Sequence, residues 1–385
     1  MSEGWRGMDN EATKSMASRP LPQQPRHRPT IRDVAAAAMC SPSTVSRVLN
    51  GVGRSSQETK ERVWAAARDL GFRFDPIGRS LQSRKSRTIG VLTPTLSNPV
   101  FADATGGVQA EAHARGYQVL LACSNYDPEA EEATVANLIA HRVDGLVLTV
   151  SDAADSAALE LVLNAGVPFV LVFNHPRHAF PAVAFDNRGA ATRMAEEMIA
   201  LGHSHAAFVA GLFRSSDRAT QRYEGFCDAY TAAGLPTPPL LEVDYRSPSV
   251  AAPLAGLLAK RPETTGLFCS NDMLAITVIG DLRRLGREVP RDMSVTGFDG
   301  IAVGNVVSPS IATIATACSA MGRSAAARLI DVTEGEAEPA DTTDLLTYTF
   351  RPGTSLAEAP AVPRATPSAG PGAATPGPAS PPETP

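Results

Sequence analysis

The chain has 385 residues, 43% of them hydrophobic, with a formal net charge of −5. That is enough apolar material for two or three globular domains, and it excludes a fibrous or wholly disordered protein. The most apolar stretch, Leu161 to Phe173, is interrupted by Asn164, Gly166 and Pro168, so no membrane span is expected, and with no leader-like run at the N-terminus the sequence predicts a cytoplasmic protein.

The charge is unevenly spread. Residues 26–87 carry 13 Lys and Arg against 5 acids, a net +8 that leaves −13 for the rest. A compact basic segment on an acidic body is the electrostatic footprint of phosphate binding. The five cysteines are scattered and contain no C-x-x-C pair, which implies neither a zinc site nor a disulfide framework.

Residues 1–28 are polar and proline-rich and are expected to be disordered. Thr30 followed by Asp33 resembles a capping box and opens a first helix with Ile31, Val34, Ala35 and Ala38 inward. Ser41 then suits an N-cap and Pro42 the first helical position, with Cys40 and Val45 able to staple the turn. On this second helix Val45, Val48 and Leu49 face inward and leave Ser43, Thr44 and Arg47 outward near its N-terminus, where a recognition helix meets bases and phosphates. A third helix is expected to be capped by Ser55 with Glu58, to bury Val63, Ala67 and Leu70, and to stop at Gly71. Three short helices within about fifty residues form a helix-turn-helix domain, over residues 29–74.

Asp75 and Pro76 could open a further short helix over residues 75–86, too short to be stable alone in water. From Arg87 onward, short β-branched runs alternate with helical stretches: Thr88 to Leu92, Tyr117 to Ala122, Gly145 to Val150, Phe169 to Phe173, Ala206 to Val209, Gly266 to Cys269 and Ser294 to Thr296 read as strands. This is the rhythm of parallel α/β sheets, in more units than one small sheet holds. The fold class is therefore α/β, an all-α head and hinge followed by two doubly wound lobes. The lobes are assigned to residues 87–186 with 316–345, and 187–315 with 346–355. Residues 356–385, almost wholly Ala, Pro, Gly, Ser and Thr, are expected to be a disordered tail.

In such sheets ligands bind beyond the carboxyl ends of the strands. Those ends are polar here: Asn98 with Phe101, then Asn125, Asn174, Asn271 with Asp272, and Asp299, while Arg222 adds a guanidinium from a helix start. Each polar end is by default a helix cap, and their convergence on one cleft is the less bland reading. No P-loop, G-x-S-x-G elbow, metal-spaced His or Cys cluster or dinucleotide-binding glycine run is present, so neither an enzyme nor a cofactor is expected. His113, His141, His203 and His205 read as surface residues. A secreted solute receptor would share the sensor but not the basic head.

The run Thr30-Ile-Arg-Asp-Val-Ala together with Ser41-x-Ser-Thr-Val-Ser-Arg-Val-Leu-Asn50 resembles the head of lactose-repressor-type regulators nearly residue for residue. The resemblance extends over residues 30–355 and implies a dimeric repressor of a near-palindromic operator, with no membrane partner, whose periplasmic-binding-protein-like core senses a sugar or sugar derivative; a nucleoside would also fit. It implies DNA contacts from Thr30, Ser41, Pro42, Ser43, Thr44, Ser46, Arg47, Asn50 and Arg54, with Arg79 on phosphates and Leu81 wedged into the minor groove. Arg84, Lys85 and Arg87 would serve phosphates as well. It also implies that Phe101 contacts the effector, that Arg222, Asn271 and Asp299 hydrogen-bond it, and that Asp272 and Asp186 cap helices. Four departures stand out: Met39 where a small residue usually turns the chain, a displaced proline and Gly78 in the hinge, Gly300 in place of a second acid, and Thr316 where a longer polar side chain is common.

Overall fold

A computed structural model of the chain describes residues 29–49, 53–72, 85–174 and 180–360. The expectations for 1–28, for 75–84 and for 361–385 lie outside those residues, as do Asn50, Arg79 and Leu81. The chain divides into two compact units, Met1–Arg84 and Lys85–Pro385.

In the first unit, α1 (Ile31–Ala37), α2 (Pro42–Leu49) and α3 (Gln57–Asp69) pack around Val34, Val45 and Val63, all completely buried. The capping box is formed: the Asp33 N–H donates to Thr30 Oγ1 at 3.4 Å and the Thr30 N–H to Asp33 Oδ2 at 2.7 Å. Ser41 Oγ accepts from the Thr44 N–H at 3.2 Å and so caps α2. The third helix departs from expectation by one residue, because Ser56 rather than Ser55 accepts from the Thr59 N–H. Val63 and Ala67 are buried as expected, together with Ala66, while Leu70 lies at the C-cap past the last helical residue and is exposed. Met39, in the turn between α1 and α2, sits at φ 50° with its side chain 80% exposed. A left-handed backbone costs a side-chain-bearing residue about 1 kcal/mol, and nothing packs on Met39 to offset it.

The second unit holds two six-stranded sheets. One lobe has the order β11-β5-β4-β3-β1-β2, all parallel, from β1 (Thr88–Thr93), β2 (Gln118–Cys123), β3 (Gly145–Leu148), β4 (Phe169–Val172), β5 (Ala182–Phe185) and β11 (Thr343–Leu346). The other has the order β12-β10-β9-β8-β6-β7, from β6 (Ala206–Gly211), β7 (Leu240–Val243), β8 (Gly266–Cys269), β9 (Ser294–Asp299), β10 (Ala312–Thr316) and β12 (Tyr348–Arg351), with β12 alone antiparallel. The chain passes between lobes three times, after β5, after β10 and between β11 and β12.

Helices cover both sheets: α4 (Pro99–Ala114), α5 (Pro128–Ala140), α6 (Ala157–Ala165) and α11 (Cys318–Glu334) on the first lobe, and α7 (Asn187–Ala200), α8 (Asp217–Ala232), α9 (Ala251–Lys260) and α10 (Asp272–Arg284) on the second. Each lobe has one pair of helices in backbone contact, and glycine makes the approach possible. A Cβ on Gly322 of α11 would fall 1.9 Å from the Ala104 carbonyl oxygen of α4, and one on Gly225 of α8 would fall 2.0 Å from that of Arg188 on α7.

Two sequence expectations are corrected here. His203 is completely buried rather than on the surface: Nδ1 pairs with Thr265 Oγ1 at 3.0 Å and Nε2 with the Ala357 carbonyl at 3.0 Å. The ordered core therefore runs past 355. Leu356 packs on the second lobe, and the Ala357 and Ala359 N–H groups donate to Ser294 Oγ and the Leu201 carbonyl.

Two outcomes test this packing. Met39→Gly should raise the stability of the head by about 0.5–1 kcal/mol in urea titration, and a loss would mean that the turn uses Met39 for packing. Gly322→Ala should lower the stability of the core by about 1–3 kcal/mol, and an unchanged midpoint would show that α4 and α11 are free to separate.

Candidate functional site

The outer face of α2 presents polar groups at its N-terminus. Ser41, Pro42, Ser43 and Arg47 are exposed, Thr44 and Ser46 half-buried, and Arg54 lies exposed beyond the helix. The hydroxyls of Ser43 and Thr44 converge on Ser41 Oγ at 2.8 and 2.9 Å, and Arg47 Nε reaches back to the Ser43 carbonyl at 3.4 Å. This is a compact donor surface on the positive end of a helix dipole. Thr30 stands apart in role, since its hydroxyl is engaged with Asp33 in the cap.

The second site is the cleft between the lobes of the core. On the first-lobe side, Asn98 caps α4 with Oδ1 on the Val100 N–H at 3.4 Å, which places Phe101 one turn in, edge-on to Phe173 with centroids 5.1 Å apart. On the second-lobe side, Asn271 caps α10 through Oδ1 on the Leu274 N–H at 2.8 Å, and Ser216 caps α8. Three helix N-termini thus end at one cleft. Arg222 is buried in it: Nε donates to Asn187 Oδ1 at 2.9 Å, Nη1 to the Ser270 carbonyl, and the guanidinium lies 3.6 Å over the Phe298 ring. Asp299 Oδ1 stands 3.4 Å from Arg222 Nη1.

Asp299 has φ 110°, and the backbone after it is held by a neighbour. The buried Asp272 accepts the Gly300 and Ile301 N–H groups on Oδ2 at 2.8 and 2.9 Å, and Thr316 Oγ1 donates to the Asp299 carbonyl at 3.0 Å. Asp272 is therefore not the cap the sequence suggested; Asn271 is, and Asp272 braces the loop that aims Asp299. Gly297 leaves room for it, since a Cβ there would lie 2.2 Å from Asp272 Oδ1. Burial pushes the Asp272 carboxyl up to about 7, and pushes Asp299 up to about 6 against the pull of Arg222. Asp186 does cap α7, accepting the Gly189 N–H at 2.9 Å.

The cleft is narrow. Asn98, Phe101, Arg222, Asn271 and Asp299 line it, joined by Tyr126, Phe173, Ser216, Arg218 and Tyr245, which the sequence did not single out, and only about 30 Å³ remains among them. That is one water's share of volume, so any effector must part the lobes or turn side chains. The Tyr126 and Tyr245 rings meet across the cleft at 5.0 Å, and beyond them opens a vestibule of about 290 Å³.

Two expected effector residues stand elsewhere. Asn125, at φ 55°, is exposed on the turn that sends Tyr126 inward, and is not part of the lining. Asn174 is completely buried; it accepts the Val150 N–H, donates to the Val150 carbonyl and reaches Asp217 Oδ2 at 2.8 Å. It ties the lobes together instead of facing the cavity. Lys85 and Arg87, expected on phosphates, are bound by the core: Lys85 Nζ donates to the Thr333 carbonyl at 2.7 Å and Arg87 Nη1 to Glu334 Oε1 at 2.8 Å. Among the described residues no helix is long and apolar enough to cross a membrane.

Residues 30–74 match the family model described as bacterial regulatory proteins, lacI family, and residues 86–349 match that of periplasmic binding proteins and the sugar binding domain of the LacI family. The chain is similar to the HTH-type transcriptional regulator GntR of Escherichia coli strain K12, 33% identical over 333 residues that cover 86% of this chain and 99% of that one. It is also similar to the transcriptional repressor PurR of Aliivibrio fischeri strain ES114, 32% identical over 78% of this chain and 91% of the relative. Among solved structures, the Lac repressor dimer bound to operator and the anti-inducer ONPF superposes with a TM-score of 0.76 at 25% identity, covering 86% of this chain and 99% of that one. The regulator CelR in complex with cellobiose superposes at 0.64 with 27% identity, over 85% and 100%.

Proposed function

We infer how this chain acts from one premise: it belongs to the lacI family of bacterial regulatory proteins and is a DNA-binding transcriptional regulator with a periplasmic-binding-protein-like effector domain. It acts as a cytoplasmic dimeric repressor, its two heads reading the half-sites of a near-palindromic operator, with no catalytic step of its own. The observation that carries the reading is the pairing of two surfaces on one chain: the polar N-terminal face of α2, and a buried cleft that holds Arg222, Asn271 and Asp299.

In the head, Ser43, Thr44, Ser46 and Arg47 read the major groove, while Ser41, Pro42, Thr30 and Arg54 position the helix on the backbone. By resemblance to the family, Asn50, Arg79 and Leu81 contact the DNA as well, with Leu81 as the minor-groove wedge. In the cleft, a polyhydroxylated effector donates to Asp299, accepts from Arg222 and from the amide of Asn271, and lays an apolar face on Phe101. The effector is a sugar derivative, and the relatives bound to ONPF and to cellobiose support that class by analogy.

A mechanical route leads from the cleft to the point where the chain enters the core. The α11 helix starts two residues after Thr316, which holds the Asp299 carbonyl, and runs about 25 Å to Glu334, which grips Arg87 where the chain enters the core. A shift of Asp299 on binding effector is thus transmitted to the segment that leads to the head.

Asp299→Ala and Arg222→Ala each remove one side of a buried polar contact, worth about 1–3 kcal/mol to the effector. Both variants should lose the effector's influence on operator binding in a filter-binding titration, with operator affinity in its absence kept within a few-fold. Retention of the parent's effector response in both would overturn the cleft assignment.

A further inference from the structure

We propose that Asp144 is a positioning residue: it carries the state of the contact between the lobes, along β3, to the two residues through which the chain enters the core. This rests on the reading of the chain as a regulator whose core controls its head.

Asp144 stands immediately before β3 and holds the residues that precede β1. Its Oδ1 accepts the Ser86 N–H at 2.7 Å and the Ser86 hydroxyl at 2.9 Å, and its Oδ2 accepts the Arg87 N–H at 2.8 Å. Its own N–H donates to the Thr88 carbonyl at 2.8 Å. One carboxylate thus takes three donors from consecutive residues, and bonds to a charged acceptor are stronger than neutral ones. They hold a backbone that would not stay there unaided, since Arg87 has φ 53°, a left-handed conformation that a side chain disfavours.

The far end of the same strand is the contact between the lobes. Just beyond β3, Val150 accepts the Asn174 amide and donates to its Oδ1, both at 3.0 Å, and its carbonyl also accepts Arg218 Nη1 of the second lobe at 2.8 Å. The Ser151 carbonyl accepts the Asp217 N–H, again from the second lobe, at 2.8 Å. Between the two ends lies about 20 Å of extended chain. It is an interior strand, paired with β1 on one side and β4 on the other, and Leu146, Val147 and Leu148 are completely buried. A Cβ on Gly145 would lie 2.8 Å from Leu329 Cδ1, so α11 rests directly on the strand beside Asp144. Close packing on every side passes a displacement along the strand instead of absorbing it. Parting the lobes therefore pulls on Val150 and Ser151, and the pull reaches the Ser86–Arg87 turn through Asp144. The α11 route grips the Arg87 side chain; Asp144 grips the backbone.

The test uses the full chain, with the duplex that the parent enriches from a random-sequence pool as its DNA. Hydrogen exchange is followed in the parent and in Asn174→Ala, which loosens the far end of the strand. The Ser86 and Arg87 amides should exchange about tenfold or more faster in the variant. The Glu336 N–H, bonded to the Asp331 carbonyl at 2.8 Å just past α11, should keep the parent's rate. On the duplex, Asn174→Ala should change affinity by about threefold or more in the parent background and by less than about 1.5-fold in an Asp144→Ala background, because the relay is already cut. Asp144→Asn keeps an acceptor for Ser86 and loses the one for Arg87. It should give an intermediate shift, and it carries the comparison if thermal unfolding shows that Asp144→Ala does not fold. The proposal falls if Ser86 and Arg87 exchange at the parent's rate in Asn174→Ala, if Glu336 accelerates with them, or if Asn174→Ala shifts affinity by the same factor with and without Asp144. A parent that enriches no duplex would overturn the regulator reading itself, whereas an enriched duplex with equal shifts removes only the relay.

Discussion

The lobes of the core are held together at the N-terminus of α8. There the Asp217 N–H donates to the Ser151 carbonyl at 2.8 Å, the Asp217 carboxylate takes the Asn174 amide, and Arg218 donates to the Val150 carbonyl. Every one of these bonds joins a residue of one lobe to a residue of the other, and all are largely withdrawn from water. A dry polar clasp of this kind is worth much when complete and costs much when any member is lost. The neighbouring polar groups follow the same logic: Glu131 accepts the Ser151 N–H and hydroxyl, and burial among these groups pushes its carboxyl and that of Asp217 upward.

The cleft inherits its shape from the clasp. With the lobes clasped, Tyr245 of the second lobe meets Tyr126 of the first at the mouth, while Arg222, one turn further along α8, is held against Phe298 and Asp299 within its own lobe. The cavity that remains is too small for a sugar, so an effector has to bind an arrangement other than this one. A ligand that binds one state better shifts the balance by that difference alone. Behind the lining, Asp272 and Thr316 fix the backbone on either side of Asp299, and Gly297 leaves the room that Asp272 needs.

Much of this was legible in the sequence, for identifiable reasons. Strands whose apolar runs are rich in β-branched residues, such as Thr88–Thr93 and Phe169–Val172, announced themselves. The strands that went unread were Ala182–Phe185 and Ala312–Thr316, whose alanines dilute the signal, and Leu240–Val243, Thr343–Leu346 and Tyr348–Arg351, short edge or near-edge strands of mixed polarity. The site followed the same pattern. Arg222, Asn271 and Asp299 follow recognisable strands or open a recognisable helix. Tyr245 follows an unread strand by two residues, and Arg218 sits behind a serine cap that looks like any other. Asn125 and Asn174 are polar strand ends as well, and only the backbone of the 124–126 turn and the position of Asp217 in the other lobe decide that neither faces the cavity. The lobe-to-lobe partners are far apart in the chain and leave no local trace.

The clasp is tested most directly by the distance across the cleft mouth, measured by pulsed dipolar spectroscopy between spin labels at Leu96 and Arg246, exposed positions on opposite lobes. Asn174→Ala removes one of the first-lobe partners of Asp217 without touching the cavity lining. The account predicts a single short distance in the parent and a longer, broader distribution in Asn174→Ala without effector. Identical distributions in the two proteins would show that the Asn174–Asp217 bond is not needed to hold the lobes together.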